Sequence, residues 1–393
     1  MANKVLVKDF FKKYGDVTFK ELPFCMADVL VLAGLSYADY MAASEVMGQY
    51  NIWDDKIPLK AFDKHDVIKK LSLRYLSGPL VYYNFFKDVL LCKRYSALRI
   101  THIRNVFSKS KITQFYAMVY EIGEMRFIIY RGTDNTIAGW KEDFLTAVND
   151  EVPSQKLALE YLEEIVANDK EHNYTIIGHS KGGNLAYYAF FNSKPETKDR
   201  IISCYNLDGN GFRNDNYHYK EFKPKIVKII PSDDVVGSVF DSYMHHTIVK
   251  SSAFSIWAHD VTTWQLDPND YTKLLEVKNL TRASHALKVS LNSWVNNLST
   301  QQIDDFLDFI FTIVDLDKPK TINELFTNLN NNRLKYLKSI DSFPAERKKE
   351  LRKMTANFLK DYLNAYIRLS PFTQRLTIKS KNNNLIKEKN ENA

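Results

Sequence analysis

The stretch that most constrains this chain runs from Tyr174 to Ala186 and reads Tyr-Thr-Ile-Ile-Gly-His-Ser-Lys-Gly-Gly-Asn-Leu-Ala. A short apolar run leads into Gly178-His179-Ser180-Lys181-Gly182, and a helical pattern begins at once. A bare G-x-S-x-G occurs by chance in many chains. With a strand before it and a helix after it, it forms a sharp turn that lifts the serine hydroxyl out of the sheet. The turn is tight enough that the residues two before and two after the serine must lack bulky side chains. The following helix points its N-terminus at the site, where its free N–H groups can hold an oxyanion.

An activated serine needs a base to take its proton and an acid to orient that base. Folds that carry this turn place them in the order serine, acid, histidine, at strand ends. Counting the serine strand as the fifth, Asp208 follows the sixth, and Asp233 and Asp234 follow the seventh. The seventh is the usual place for the acid, so Asp234 is the expected residue, with Asp233 and Asp208 as alternatives. His65, His102 and His172 precede the serine, and His218 precedes that acid. His179 sits inside the turn, where its side chain should point away from the serine. His245 and His246 come before the last strand, whereas His259 follows it by a short loop. His259 is the expected base and His285 the alternative. The oxyanion donors expected are the backbone N–H of Lys181 and the loop at Gly132-Thr133, where Thr133 can offer both its N–H and its hydroxyl. The Lys181 side chain has two readings, a contact to an anionic substrate group or an ion pair with a nearby carboxylate.

The 393 residues allow one large domain, or a core domain with a helical appendage. The spacing predicts a mostly helical region over 1–110, with Met26–Leu35 as a buried helix, Phe62, Val67, Ile68 and Leu71 at helical spacing, and a cap or lid as one role. Residues 111–283 alternate strand and helix, the signature of an α/β unit with a mostly parallel sheet and helices on both faces. A hairpin is expected at Phe115–Tyr120 and Met125–Tyr130. Residues 284–378 read as helical, with capping boxes at Ser299/Gln302 and Thr321/Glu324, and 379–393 as a disordered basic tail. None of the 13 glycines follows Gly237, so the tight-turn chemistry lies in the middle of the chain.

The formal charge of +7 permits attraction to anionic lipid, and peripheral membrane contact stays open. No basic and aromatic interleaving of the kind a nucleic-acid groove needs is present. The 3 cysteines, Cys25, Cys92 and Cys204, are dispersed and read as reduced thiols. With no apolar leader and no apolar run long enough to span a bilayer, a cytoplasmic protein is expected. No cysteine cluster or metal-ligand spacing appears, so neither metal nor cofactor is expected.

Two sets of motifs carry a resemblance. Tyr130-Arg131-Gly132-Thr133 with Trp140 and Asp143 resembles the oxyanion-loop motif of class 3 lipases, and Asp234-Val235-Val236-Gly237 resembles their acid motif, with glycine where proline is usual. More closely, the chain resembles an uncharacterised bacterial family of lipase-like α/β-hydrolases, a domain of unknown function. The motifs are Tyr14-Gly15-Asp16, Pro23-Phe24, Leu35-Ser36-Tyr37, Gly178 to Ala186, Asp208-Gly209-Asn210-Gly211-Phe212, and His259-Asp260 before Trp264. The resemblance spans roughly residues 10–330. It implies an α/β-hydrolase fold with serine and histidine at Ser180 and His259. It leaves the acid open, because the family position matching Asp234 is often serine. The chemistry expected is hydrolysis of an acyl or lipid ester by a Ser180, Asp234 and His259 triad. A thioesterase or amidase using the same residues, and a hydrolase-shaped binding protein, are the alternatives.

Overall fold

The computed structural model describes residues 4–41, 48, 50–63, 79–134, 137–146, 149–212, 217–240, 246–316 and 343–369, with 328, 331, 332, 335 and 338 as single residues. The expected helical positions Val67, Ile68 and Leu71, the Thr321/Glu324 box and the 379–393 tail lie outside them.

Eight strands form one sheet in which spatial order equals chain order: β1 (Ile57–Pro58), β2 (Arg99–Ser108), β3 (Thr113–Ile122), β4 (Met125–Tyr130), β5 (Tyr174–His179), β6 (Ile201–Leu207), β7 (Ile226–Pro231) and β8 (Thr247–Val249). The β3–β4 pair is the expected hairpin, antiparallel with Met118 opposite Ile129. From β4 to β8 every neighbour is parallel. Strand β5 is buried along its whole length, which is why it reads as an apolar run with no polar alternation. The mixed sheet, parallel over its second half and flanked by helices, is an α/β-hydrolase architecture.

Chain order in the parallel half decides which face the helices take. Right-handed crossovers that always step in one direction place their helices on the same face. The helices Pro153–Asn168 and Lys181–Asn192, which join β4 to β5 and β5 to β6, share one apolar cluster with Phe115, Ile128, Tyr130 and Ile176. The alternating elements therefore leave the second face open. The N-terminal region covers it: Val29 to Leu35, Phe10, Tyr82 and Phe86 form another cluster with Met118, Tyr120, Ile129 and Ile177. Burial all round explains why Met26–Leu35 is apolar on every side.

One polar group in that helix is buried deliberately. Asp28 has no exposed surface and receives Nε and Nη2 of Arg94, both at 2.7 Å, with the Tyr95 hydroxyl at 2.8 Å and the Cys25 N–H at 2.9 Å. Arg94 also donates to the carbonyls of Val17 and Leu22. This bidentate pair fastens the N-terminal segment to the connection before β2. The cysteines are free thiols.

At the C-terminal end, Arg282–Asn296 packs on Ala345–Arg368, where Trp294 Nε1 donates to the Met354 carbonyl at 3.1 Å. The Ser299/Gln302 box forms as expected, with reciprocal bonds of 3.0 and 3.2 Å. Among the described residues no helix is long and apolar enough to cross a membrane.

Removing one member of a buried ion pair strands the other charge, at a cost of about 3–5 kcal/mol. Arg94→Leu should lower unfolding stability by about that amount in a urea titration. An unchanged midpoint would contradict the fastening role given to this pair.

Candidate active site

The site is assembled at the carboxyl ends of β5 to β8, where ligands bind in open parallel sheets. Ser180 follows β5 with φ 59° and ψ −133°, a left-handed conformation that L residues rarely take. The glycines around it are required by contact. A Cβ on Gly178 would lie 1.9 Å from the Gly182 carbonyl oxygen, and one on Gly182 would lie 2.1 Å from that of Tyr130. Gly132 is pressed on the elbow as well, since a Cβ there would meet Ser180 Cβ at 2.8 Å. The helix Lys181–Asn192 starts immediately after the serine. The Gly183 N–H already donates to the Ser180 carbonyl at 2.8 Å, whereas those of Lys181 and Gly182 precede the first helical carbonyl they could bond.

His259 closes a 3-10 turn (Ser255–His259) after β8, and its Nδ1 lies 2.6 Å from Oδ2 of Asp208. The carboxyl that meets His259 is Asp208, at the end of β6, an alternative to the expected Asp234. The reason is where the loop lands. The β8 loop crosses back over the end of β6, so the carboxyl at that strand end is the one the imidazole reaches. Asp208 is fully buried and is itself at positive φ, 52°. Strain at both Ser180 and Asp208 follows the habit of functional sites to hold residues in sparse conformations.

Asp234 stands one layer behind. Its oxygens accept from the N–H groups of Val236 (2.9 Å), Gly237 (2.6 Å) and Ser238 (2.9 Å). The Gly237 N–H is shared with Asp208 Oδ1 at 3.1 Å. The two carboxyl groups act on each other, and two carboxylates this close in a buried site disfavour ionising both. Burial, then the charge of Asp234, pushes Asp208 well above the carboxylate range, with Lys228 opposing. Burial also works against ionised Asp234, but the hydrogen bonds from Asp208 and from the loop N–H groups outweigh it and hold its pKa down. Asp233 is only half-buried and touches the Ser232 hydroxyl at 3.4 Å.

The remaining expectations divide. Thr133 lies on the loop beside the elbow, and its hydroxyl donates to Asp143 Oδ2 at 2.5 Å. Burial raises Asp143 to about 6 against the pull of Lys181. The Lys181 side chain turns into the protein. Its Nζ donates to Glu142 (3.0 Å) and to the carbonyl and side-chain oxygens of Gln114 (2.7 and 2.8 Å). The ion-pair reading of that residue is the observed one. His285 is exposed at a helix start. His179 packs against His259, with ring centroids 4.6 Å apart.

Residues not singled out from the sequence complete the site. Asn184, one turn into the elbow helix, donates to the carbonyls of Asn210 (3.3 Å) and Gly211 (3.2 Å) and accepts from Gln155 at 2.8 Å. It ties the elbow to the loop that follows Asp208. Gly209 lets that loop approach, since a Cβ there would be 2.5 Å from the Ser180 carbonyl oxygen. The signal was present in the paired motifs Gly182 to Asn184 and Asp208 to Gly211, but contact between them needs the fold. Among the described residues no cluster of His, Cys, Asp or Glu could hold a metal ion.

Residues 89–312 match the sequence model of a family described as Mbeg1-like. Among solved structures, the chain is similar to the Lip2 lipase from Yarrowia lipolytica, with 14% identity and a TM-score of 0.31 over 41% of this chain and 68% of that one. It is also similar to a triacylglycerol lipase from Penicillium expansum, with 13% identity and a TM-score of 0.29 over 57% and 94% of the two chains. No curated protein matches.

Overpacking a rigid site costs typically about 1–3 kcal/mol, and more where backbone must move. Gly182→Ala should therefore lose at least that much stability, read by urea unfolding, because its methyl meets the Tyr130 backbone. Wild-type stability in that variant would contradict the close approach.

Proposed function

The chain belongs to the Mbeg1-like family of lipase-like α/β-hydrolases, and from that premise we propose that it is a serine hydrolase cleaving carboxylic esters, acyl or lipid esters in particular. The observation that carries this reading is the 2.6 Å contact of His259 with buried Asp208, beside a serine on a strained strand-to-helix turn.

The steps follow from the groups present. Asp208 accepts from His259 Nδ1–H, which leaves Nε2 as the acceptor for the Ser180 hydroxyl proton. The serine oxygen attacks the acyl carbonyl as that proton moves to Nε2. The N–H groups of Lys181 and Thr133 hold the oxygen that gains charge. Collapse breaks the ester C–O bond, and the leaving alkoxide takes the proton back from Nε2. Water then repeats the sequence on the acyl-serine, releasing the acid and restoring the serine. The imidazolium formed in each half faces a carboxyl pair that carries one negative charge over two groups. In this reading Asp208 is the acid of the triad, and Asp234 supports it by sharing the Gly237 N–H.

Burial lowers His259 to about 4, so the ring is a neutral base throughout the neutral range. Below that value it is protonated and cannot take the serine proton. For p-nitrophenyl ester hydrolysis the acid limb of kcat/KM should thus fall near pH 4, not near the about 6.5 of an exposed imidazole. A limb at the exposed value would contradict a buried base.

The function is tested with p-nitrophenyl esters of rising chain length. Wild type should turn them over and Ser180→Ala should not. Asp208→Asn should lose on the order of 10³–10⁴ in kcat, as when a triad acid can no longer hold the tautomer. Asp234→Asn should lose much less. Equal losses, or the larger loss in Asp234→Asn, would return the acid to Asp234; a folded wild type inert on every ester would overturn the ester-hydrolase reading.

A further inference from the structure

A second histidine stands behind the reacting groups, and the steps above do not use it. His179 ends β5 and precedes Ser180. Its Nε2 lies 2.7 Å from the backbone carbonyl oxygen of His259, and its Nδ1 lies 2.6 Å from the hydroxyl of Tyr37. A carbonyl only accepts, so Nε2 must carry a hydrogen. Burial, then the neighbouring His259, holds the ring's pKa well below the ordinary histidine value, and the ring is neutral. Nδ1 is therefore an acceptor, and the Tyr37 hydroxyl is the donor. Burial keeps that phenol protonated, with Arg131, Asp260, Asp143 and Asp134 as the charged groups acting on it. Every hydrogen in this chain has one consistent place.

The recipient is the main chain of the residue that matters. Ala258 and His259 are consecutive, and both carbonyls are held by buried side chains. Trp264 Nε1 donates to the Ala258 carbonyl at 2.9 Å, and His179 Nε2 donates to that of His259. The turn is thereby gripped from the indole on one side and from the serine elbow on the other. Because His179 is bonded in sequence to Ser180, one hydrogen bond links the nucleophile's strand end to the backbone of the base.

We propose that His179, set in its Nε2–H tautomer by the Tyr37 hydroxyl, is a positioning residue that fixes the His259 main chain, and so its imidazole, against the Ser180 elbow. The proposal rests on reading Ser180 and His259 as nucleophile and base. It also gives the N-terminal segment a part in the site, since Tyr37 follows the buried helix Met26–Leu35.

The test uses the full chain, with histidine ¹⁵N NMR for the tautomer and the rate of fluorophosphonate reaction at Ser180 for the consequence. In wild type His179 should read as Nε2–H and should not titrate between about pH 5 and 8, where an ordinary histidine does. A misplacement of about 1 Å can cost on the order of 100-fold in rate. Tyr37→Phe, which removes only the donor, should slow labelling by about tenfold or more with little change in melting temperature. His179→Phe should slow it at least as much. His179→Gln, which keeps an N–H donor within reach of the same carbonyl, should recover most of the rate.

Folded Tyr37→Phe and His179→Phe proteins that label at the wild-type rate would overturn the positioning role. A His179 ring found as Nδ1–H, or titrating in that range, would overturn the tautomer assignment whatever the labelling shows. A wild type that never labels, with the tautomer as described, would instead overturn the serine-hydrolase reading on which the positioning role stands.

Discussion

At Ser180 the backbone sits at φ 59°, with Gly178 and Gly182 touching through atoms that any Cβ would displace. The other features of the site are arranged around this one local strain. The sheet end supplies a rigid strand to turn from, and the helix supplies unpaired N–H groups to turn into. Neighbouring loops approach only because they too carry glycine, Gly132 from β4 and Gly209 from β6. A strained residue persists where its surroundings over-determine it. Here they do so through the Asn184 bonds to the β6 loop and through the buried Lys181 pair with Glu142 beneath the helix start.

Chain-ordered strands explain the division of labour along the sequence. One-directional crossovers leave a bare face on the sheet, and the N-terminal region is the cover for it. That cover is secured by a buried Arg94–Asp28 pair, and it delivers Tyr37 to the back of the site. The region is thus part of the core at Met26–Leu35, and at Tyr37 its hydroxyl meets His179 of the serine elbow.

Legibility from sequence followed the range of the interaction. The elbow, the β3–β4 hairpin and the Ser299/Gln302 box are local, decided within a few residues, and could be read directly. The expectation of His259 as base rested only on chain order and the length of one loop. The acid depended on which strand end the β8 loop returns to. Asp208 and Asp234 end adjacent parallel strands, and spacing cannot rank them; the usual position in the fold favoured Asp234, while the loop lands on Asp208. Lys181 allowed two readings because its partner Glu142 is distant in sequence and sits on another helix. Tyr37 with His179 was invisible for the same reason, since the two meet only once the N-terminal cover is docked.

The central claim is that Ser180 is activated by His259 held on Asp208. It is tested most directly by reacting folded protein with a fluorophosphonate and mapping the adduct by mass spectrometry in wild type, His259→Ala and Asp208→Asn. The account predicts a single adduct on Ser180 in wild type, none in His259→Ala, and strongly slowed formation in Asp208→Asn. An adduct elsewhere, or unchanged labelling of Ser180 without His259 or with Asp208→Asn, would contradict it.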